Sequence, residues 1–357
     1  MNKPFALDTA LSFDPYPGEP SRDGVQGCEV TPEGRVRFRV IAPEAKQVWI
    51  NQFFDNNFYL DRAADGAWEG EFDMGRGFLY FFLKIDGADV LSPYMPIGYG
   101  CCRPMNFVFV PVSDMEGWDD LEGIEHGGVT RRYYFSSVTG KTEICLIYTP
   151  PRFDASQAYP VLYLQHGYGE NETGWTYQGH VNRIADRLLH EGRMKPMLIV
   201  MGNGMAQKDG KAQNTLYPEI LVKDLIPFIE DNYPVKKDKW SRAMAGLSMG
   251  SYQTSIATMS HPELFGYAGI FSGFMRAPWK PEWEKHMDIL NDRETFNASY
   301  KVFYRAMGTE DTYFARFAED DALLEGRGLN ILRETFPGGH DWTVWRRCIY
   351  SFLPKLF

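Results

Sequence analysis

Ala243-Met244-Ala245-Gly246-Leu247-Ser248-Met249-Gly250 joins a short apolar run to a helical pattern that contains Ile256 and Met259. Read as strand, turn and helix, this stretch puts Ser248 on a sharp turn with a glycine two residues to either side. That turn needs small neighbours because the serine is held in strained backbone geometry, and the helix behind it favours negative charge developing at its N-terminus.

Outward from that turn, residues from Arg131 on alternate strand and helix patterns. The apolar runs Val161 to Leu164, Met197 to Met201, Ala243 to Ala245, Tyr267 to Phe271, Val302 to Met307 and Ile331 to Thr335 suit strands buried on both faces of a parallel sheet. Between them Val181, Ile184 and Leu188 share one helical face, as do Leu221, Leu225 and Phe228. The expectation is an α/β domain over 131–357 with a mostly parallel sheet. Upstream, residues 28–112 carry short strands separated by turn signals such as Pro32-Glu33-Gly34 and Asp86-Gly87, the pattern of a small all-β sandwich. An extension over 1–27 precedes it, and a stretch rich in Asp, Glu and Gly over 113–130 reads as a linker.

A serine hydroxyl needs a base, and the base an orienting acid. In this kind of fold the acid and then the histidine follow the serine in the chain. His261, His286 and His340 follow Ser248. His261 and His286 stand in polar, charged surroundings, whereas His340 follows Pro337-Gly338-Gly339 after an expected strand and is the candidate base. Gly308-Thr309-Glu310-Asp311 ends another strand and offers two carboxylates, of which Asp311 is preferred over Glu310. The N–H groups of Met249 and of Tyr168, in the turn His166-Gly167-Tyr168-Gly169, are the expected oxyanion donors. His166 has the wrong chain order for a base and is expected to brace that turn.

The composition narrows the partners. With 47 acidic against 37 basic residues the formal charge is -10, and the basic residues are scattered, which argues against a nucleic-acid footprint. No apolar run approaches the roughly 20 residues that span a bilayer. Five irregularly spaced cysteines make neither a disulfide framework nor a C-x-x-C metal pair, which favours a cytoplasmic protein unless a secretory leader has been trimmed. No metal or cofactor motif is present, so the expectation is no metal and no cofactor, with an oligomer left open.

The stretches Pro160 to Gly167, Ala243 to Gly250, Gly308 to Asp311 and Gly338-Gly339-His340-Asp341-Trp342 together resemble the esterase-D-like branch of α/β-hydrolases, and within it bacterial feruloyl esterases and related xylan-directed carbohydrate esterases. Phe38-Arg39-Val40-Ile41-Ala42-Pro43 and Leu91-Ser92-Pro93-Tyr94 are similar to early-set, immunoglobulin-like modules that precede such enzymes. The resemblance implies an α/β-hydrolase domain behind an immunoglobulin-like sandwich. It also implies hydrolysis of hydroxycinnamoyl esters on small plant-cell-wall saccharides, with Trp175, Trp279, Trp283 and Trp342 as candidates to line the acyl pocket. A siderophore-trilactone esterase and an acetyl xylan esterase are the alternatives, and a non-catalytic glycan-binding scaffold fits poorly because serine and histidine are both retained. If the upstream module binds glycan, Trp49 or Trp68 has to be an exposed platform. Residues 274–299 read either as a lid or as ordinary packing. Relatives often carry a second glycine where Ser251 stands.

Overall fold

A computed structural model describes residues 26–53, 56–115, 117–273, 275 and 285–357. The chain divides into two compact units, Met1–Glu116 and Gly117–Phe357.

In the first unit, Val36, Phe38 and Val40 point into a core with Val48, Ile50, Phe81, Leu83 and Val108, while Arg37 and Arg39 point out. Period-two alternation of this kind is what a strand with one wet face requires. The outward arginines pair across the strands with Glu29, Glu71, Asp65 and Glu69. One sheet has the order Gly27–Val30, Val36–Val40, Trp68–Phe72, Asp61–Arg62. The other runs Asn57–Tyr59, Val48–Asn51, Gly77–Ile85, Arg103–Val110, Ile97–Gly100, and Ala88–Val90 pairs with Gly77–Ile85. Trp68 is buried and its indole donates to Ala42 O, so it is a core residue and not a platform. Trp49 packs on Tyr59 across neighbouring strands.

The second unit is built on an eight-stranded sheet in the order Gly128–Ser136, Lys141–Thr149, Leu198–Gly202, Val161–Gln165, Arg242–Leu247, Tyr267–Phe271, Val302–Gly308, Leu332–Phe336. The first two pairings are antiparallel and the rest parallel. The central strands are buried along their whole length, as their continuous apolar runs predict. Leu332–Phe336 departs from that expectation. It closes the sheet, has one strand neighbour and is partly exposed throughout.

The stretch expected to be a linker is largely part of the second unit. Trp118 stacks on Tyr350 with ring centroids 3.7 Å apart, Asp119 pairs with His180, and Gly127 N–H donates to Asp186 at 2.9 Å. The strand Gly128–Ser136 then begins within the expected linker. A high Asp, Glu and Gly content hid this packing because the contacts come from single side chains and not from an apolar period.

Candidate active site

Ser248 sits between the strand Arg242–Leu247 and the helix Met249–Ser260 with φ 49° and ψ -116°. A non-glycine residue held there is strained and persists only where its surroundings dictate it. Its N–H donates to Phe271 O at 2.9 Å. The flanking glycines are required by close approach. A β-carbon on Gly246 would lie 2.4 Å from Gly250 O, and one on Gly250 would lie 2.5 Å from His166 O.

The loops after the last two strands bring the other groups to this turn. Glu310 N–H donates to Gly338 O at 3.0 Å, and a β-carbon on Gly308 would lie 2.2 Å from that same carbonyl oxygen, so the two loops are pressed together. Gly338 holds φ +118°, a conformation that favours glycine. His340 Nε2 lies 2.9 Å from Ser248 Oγ, and His340 Nδ1 lies 2.8 Å from Asp311 Oδ2. With the carboxylate fixing Nδ1 as the protonated nitrogen, Nε2 is left to accept from the serine hydroxyl. Asp311 is buried and its other oxygen accepts the Tyr313 N–H at 2.9 Å, whereas Glu310 is exposed. The His340 ring lies edge-on between Tyr313 and Trp345, at 5.4 and 5.2 Å.

His261 pairs with its neighbour Glu263, and His286 bonds to Ser260 Oγ, so neither reaches Ser248. His166 is buried, its Nδ1 lies 2.8 Å from Gly167 O, and its Nε2 accepts the Gly204 N–H at 2.9 Å. Burial pulls its pKa down to about 4, so it is a neutral brace for the turn at ordinary pH. Met249 opens its helix, where an N–H has no acceptor within the helix. Gly167 borders Ser248, since a β-carbon there would lie 3.5 Å from Ser248 Cβ. Tyr168 beside it is 68% exposed.

The expected tryptophan lining is corrected in part. Trp175 and Trp342 are each 1% exposed and pack edge to face at 5.2 Å. Their indole N–H groups donate inward, to Gln165 O and to Glu170. Buried on one another in this way, they offer no open ring face. Trp279 and Trp283 lie outside the described residues. Within 274–299, which reads either as a lid or as ordinary packing, Met287, Leu290 and Phe296 are buried core residues.

Sequence reasoning missed Tyr313, Trp345, Glu170 and the role of Ser251, whose hydroxyl donates to Ser248 O at 2.6 Å. Tyr313 had one legible signal, its place two residues beyond the acid. Among the described residues no cluster of three or more His, Cys, Asp or Glu is placed to hold a metal, and no helix is long and apolar enough to cross a membrane. A cleft of about 430 Å³ lined by Glu125, Arg152, Asp186 and His190 contains none of the residues around Ser248.

The family model described as "Putative esterase" matches residues 136–356. An endo-1,4-beta-xylanase/feruloyl esterase of Xylanibacter ruminicola is 33% identical over 96% of this chain, which spans 48% of that protein's length. A solved ferulic acid esterase is 25% identical with a TM-score of 0.56, covering 64% of this chain and 97% of the other. The enterobactin esterase of Shigella flexneri, at 14% identity, has a TM-score of 0.65 and covers 90% of this chain and 92% of its own, a likeness of fold.

Proposed function

The chain belongs to the putative esterase family, and from that premise we propose that it hydrolyses hydroxycinnamoyl esters, feruloyl above all, of plant-cell-wall saccharides through an acyl-Ser248 intermediate. The observation that carries the reaction type is the continuous Ser248–His340–Asp311 relay at a strained strand-to-helix turn. The acyl preference is supported by the 33% identity to the Xylanibacter ruminicola endo-1,4-beta-xylanase/feruloyl esterase along 96% of this chain.

In the proposed reaction His340 Nε2 takes the Ser248 proton as Oγ attacks the ester carbon. Asp311 holds the imidazole in the tautomer required and stabilises the imidazolium that forms. The N–H groups of Met249 and Tyr168 receive the oxyanion. Preorganised donors of this kind act where the charge develops and so lower the barrier. The imidazolium then protonates the departing saccharide alkoxide, and a water deprotonated by His340 releases the acid. The exposed rings of Tyr168 and Tyr313 replace the buried tryptophans as the surfaces that meet the aromatic acyl group.

The test compares methyl ferulate with methyl acetate, one alcohol for both acids, with enterobactin as a third arm. About 2.7 kcal/mol of differential aromatic burial in the transition state gives a kcat/KM preference for ferulate of about 100-fold. Equal specificity constants would point to an acetyl or general esterase. Selective cleavage of the trilactone would favour the siderophore reading.

The first unit is proposed to be an immunoglobulin-like module that takes no part in the chemistry, since it supplies none of the relay residues. A chain starting at Gly117 is expected to keep small-ester turnover. A folded but inactive product would give the module a role in completing the site.

A further inference from the structure

A carboxylate ties the turn bearing Tyr168 to the loop bearing His340. Glu170 is buried; its Oε2 accepts the Gly167 N–H at 3.0 Å and its Oε1 accepts the Trp342 indole N–H at 2.7 Å. Trp342 stands two residues beyond His340 and packs against Trp175, whose own indole donates to Gln165 O at 2.9 Å. The contacts close a ring: Gln165, Trp175, Trp342, Glu170, Gly167 and back along the chain. The ring borders the nucleophile, because a β-carbon on Gly167 would lie 3.4 Å from Glu170 Oε2 and 3.5 Å from Ser248 Cβ.

We propose that Glu170 is a positioning residue for the oxyanion turn: by taking the Gly167 N–H and the Trp342 indole on its two oxygens, it aims the Tyr168 N–H at the developing oxyanion and keeps the turn in register with His340. The inference rests on the acyl-Ser248 reading above. It also explains why the second donor is Tyr168 and not Gly167, whose N–H is already committed to Glu170.

The site demands a group that accepts at both ends. Both partners are donors, so an ionised carboxylate satisfies both, whereas an amide or a protonated carboxyl accepts well at one end only. Burial pushes the Glu170 pKa up to about 7 against the pull of its two hydrogen bonds. The titratable groups around it are otherwise engaged. His166 on the same turn faces Gly167 O and the Gly204 N–H, and Glu172 faces Arg131 and Asn203. On the facing loop His340 is bonded to Ser248 and Asp311, and Asp341 caps its own helix at Thr343 and Val344.

Activity and stability then respond to pH in opposite directions. The ionised clamp, and with it the oriented turn, is present above pH 7 and lost as pH falls through it. A raised carboxyl pKa means that the folded state holds a proton the unfolded state has released between its ordinary value of 4.5 and about 7, so ionisation costs stability as pH rises through that window. Glutamine at this position has neither dependence.

The experiment measures kcat, KM and Tm for the full chain and for Glu170→Gln from about pH 5 to about pH 8, on p-nitrophenyl acetate and methyl ferulate. At the alkaline end Glu170→Gln should lower kcat by on the order of 10-fold with KM little changed, and the ratio should close toward the acid end. Over the same range its Tm should rise relative to the parent as pH increases. In a Trp342→Phe background, where the amide oxygen has only Gly167 to serve, Glu170→Gln should cost less; this pair also serves if the single variant folds poorly. A kcat ratio that is unity or independent of pH, or an equal cost in both backgrounds, overturns the proposal and leaves the hydrolase reading standing. Absence of turnover by the parent on both esters removes the two together.

Discussion

The Ser251 hydroxyl occupies the space that a side chain at position 273 would need: a β-carbon on Gly273 would fall 1.6 Å from Ser251 Oγ and 2.6 Å from its Cβ. The helix after Ser248 therefore carries a serine at 251, and position 273, just past the end of the strand Tyr267–Phe271, is a glycine. Gly273→Ala alone should destabilise by about 3 kcal/mol through overpacking. In a Ser251→Gly background the nearest remaining atom is Ser248 O at 3.6 Å, an ordinary contact. A thermal or urea double-mutant cycle should then show a coupling of about 2 kcal/mol. Additive costs would mean that the two positions do not share this space.

Ser248→Ala should leave the fold intact and lower ester turnover by on the order of 10⁴-fold or more. Asp311→Asn should keep the shape of the site but disturb the His340 tautomer, lowering kcat by about 10³–10⁴-fold. Glu310→Gln, at an exposed neighbour, should change kcat by less than about twofold. Purified enzyme with full turnover after Ser248→Ala, or equal losses at 310 and 311, would contradict the assignment.

Tyr313→Ala should reduce kcat/KM for methyl ferulate about tenfold more than for methyl acetate, because an exposed ring beside the base offers edge or face packing to an aromatic acid and little to a methyl group. An equal loss on the two esters would mean that the ring only supports His340.

Acid should release the His166 brace. Its folded-state pKa of about 4 lies below the ordinary 6.5, so the unfolded chain binds the proton first, and the stability that this residue contributes above 6.5 is lost as pH falls toward 4. His166→Gln should therefore flatten the fall of Tm between those two values, even if its Tm at neutral pH is lower. Parallel Tm curves for the two proteins would show that the histidine does not titrate with unfolding.

The α/β architecture, the sharp turn at Ser248 and the loops that bring Asp311 and His340 to it were legible because each has a local signature. Continuous apolar runs marked the central strands, and glycines marked the turns at 246, 250 and 338 where backbones meet. Ile331 to Thr335 misled because it was grouped with the apolar runs although it carries Arg333 and Glu334, charges that suit a strand at the margin of the sheet. Trp175 and Trp342 misled because an aromatic near a glycine turn looks the same in sequence whether its ring faces solvent or lies beneath the turn. Glu170 was unreadable as a buried carboxylate: one of its two partners is Trp342, 172 residues away, and nothing local records that contact.

The serine and its two helpers hang from parts of the sheet that differ in security. Ser248 follows a strand paired on both sides, while the His340 loop follows the last strand, held by a single neighbour. A sheet frays from its margin, where opening costs least. Heating should disarm the protein before it melts, with the base drifting out of reach while the elbow and most of the sheet persist. Loss of turnover would precede the loss of secondary structure, amide hydrogens of residues 332–336 would exchange ahead of those of 242–247, and brief cooling would restore function without a full refolding event.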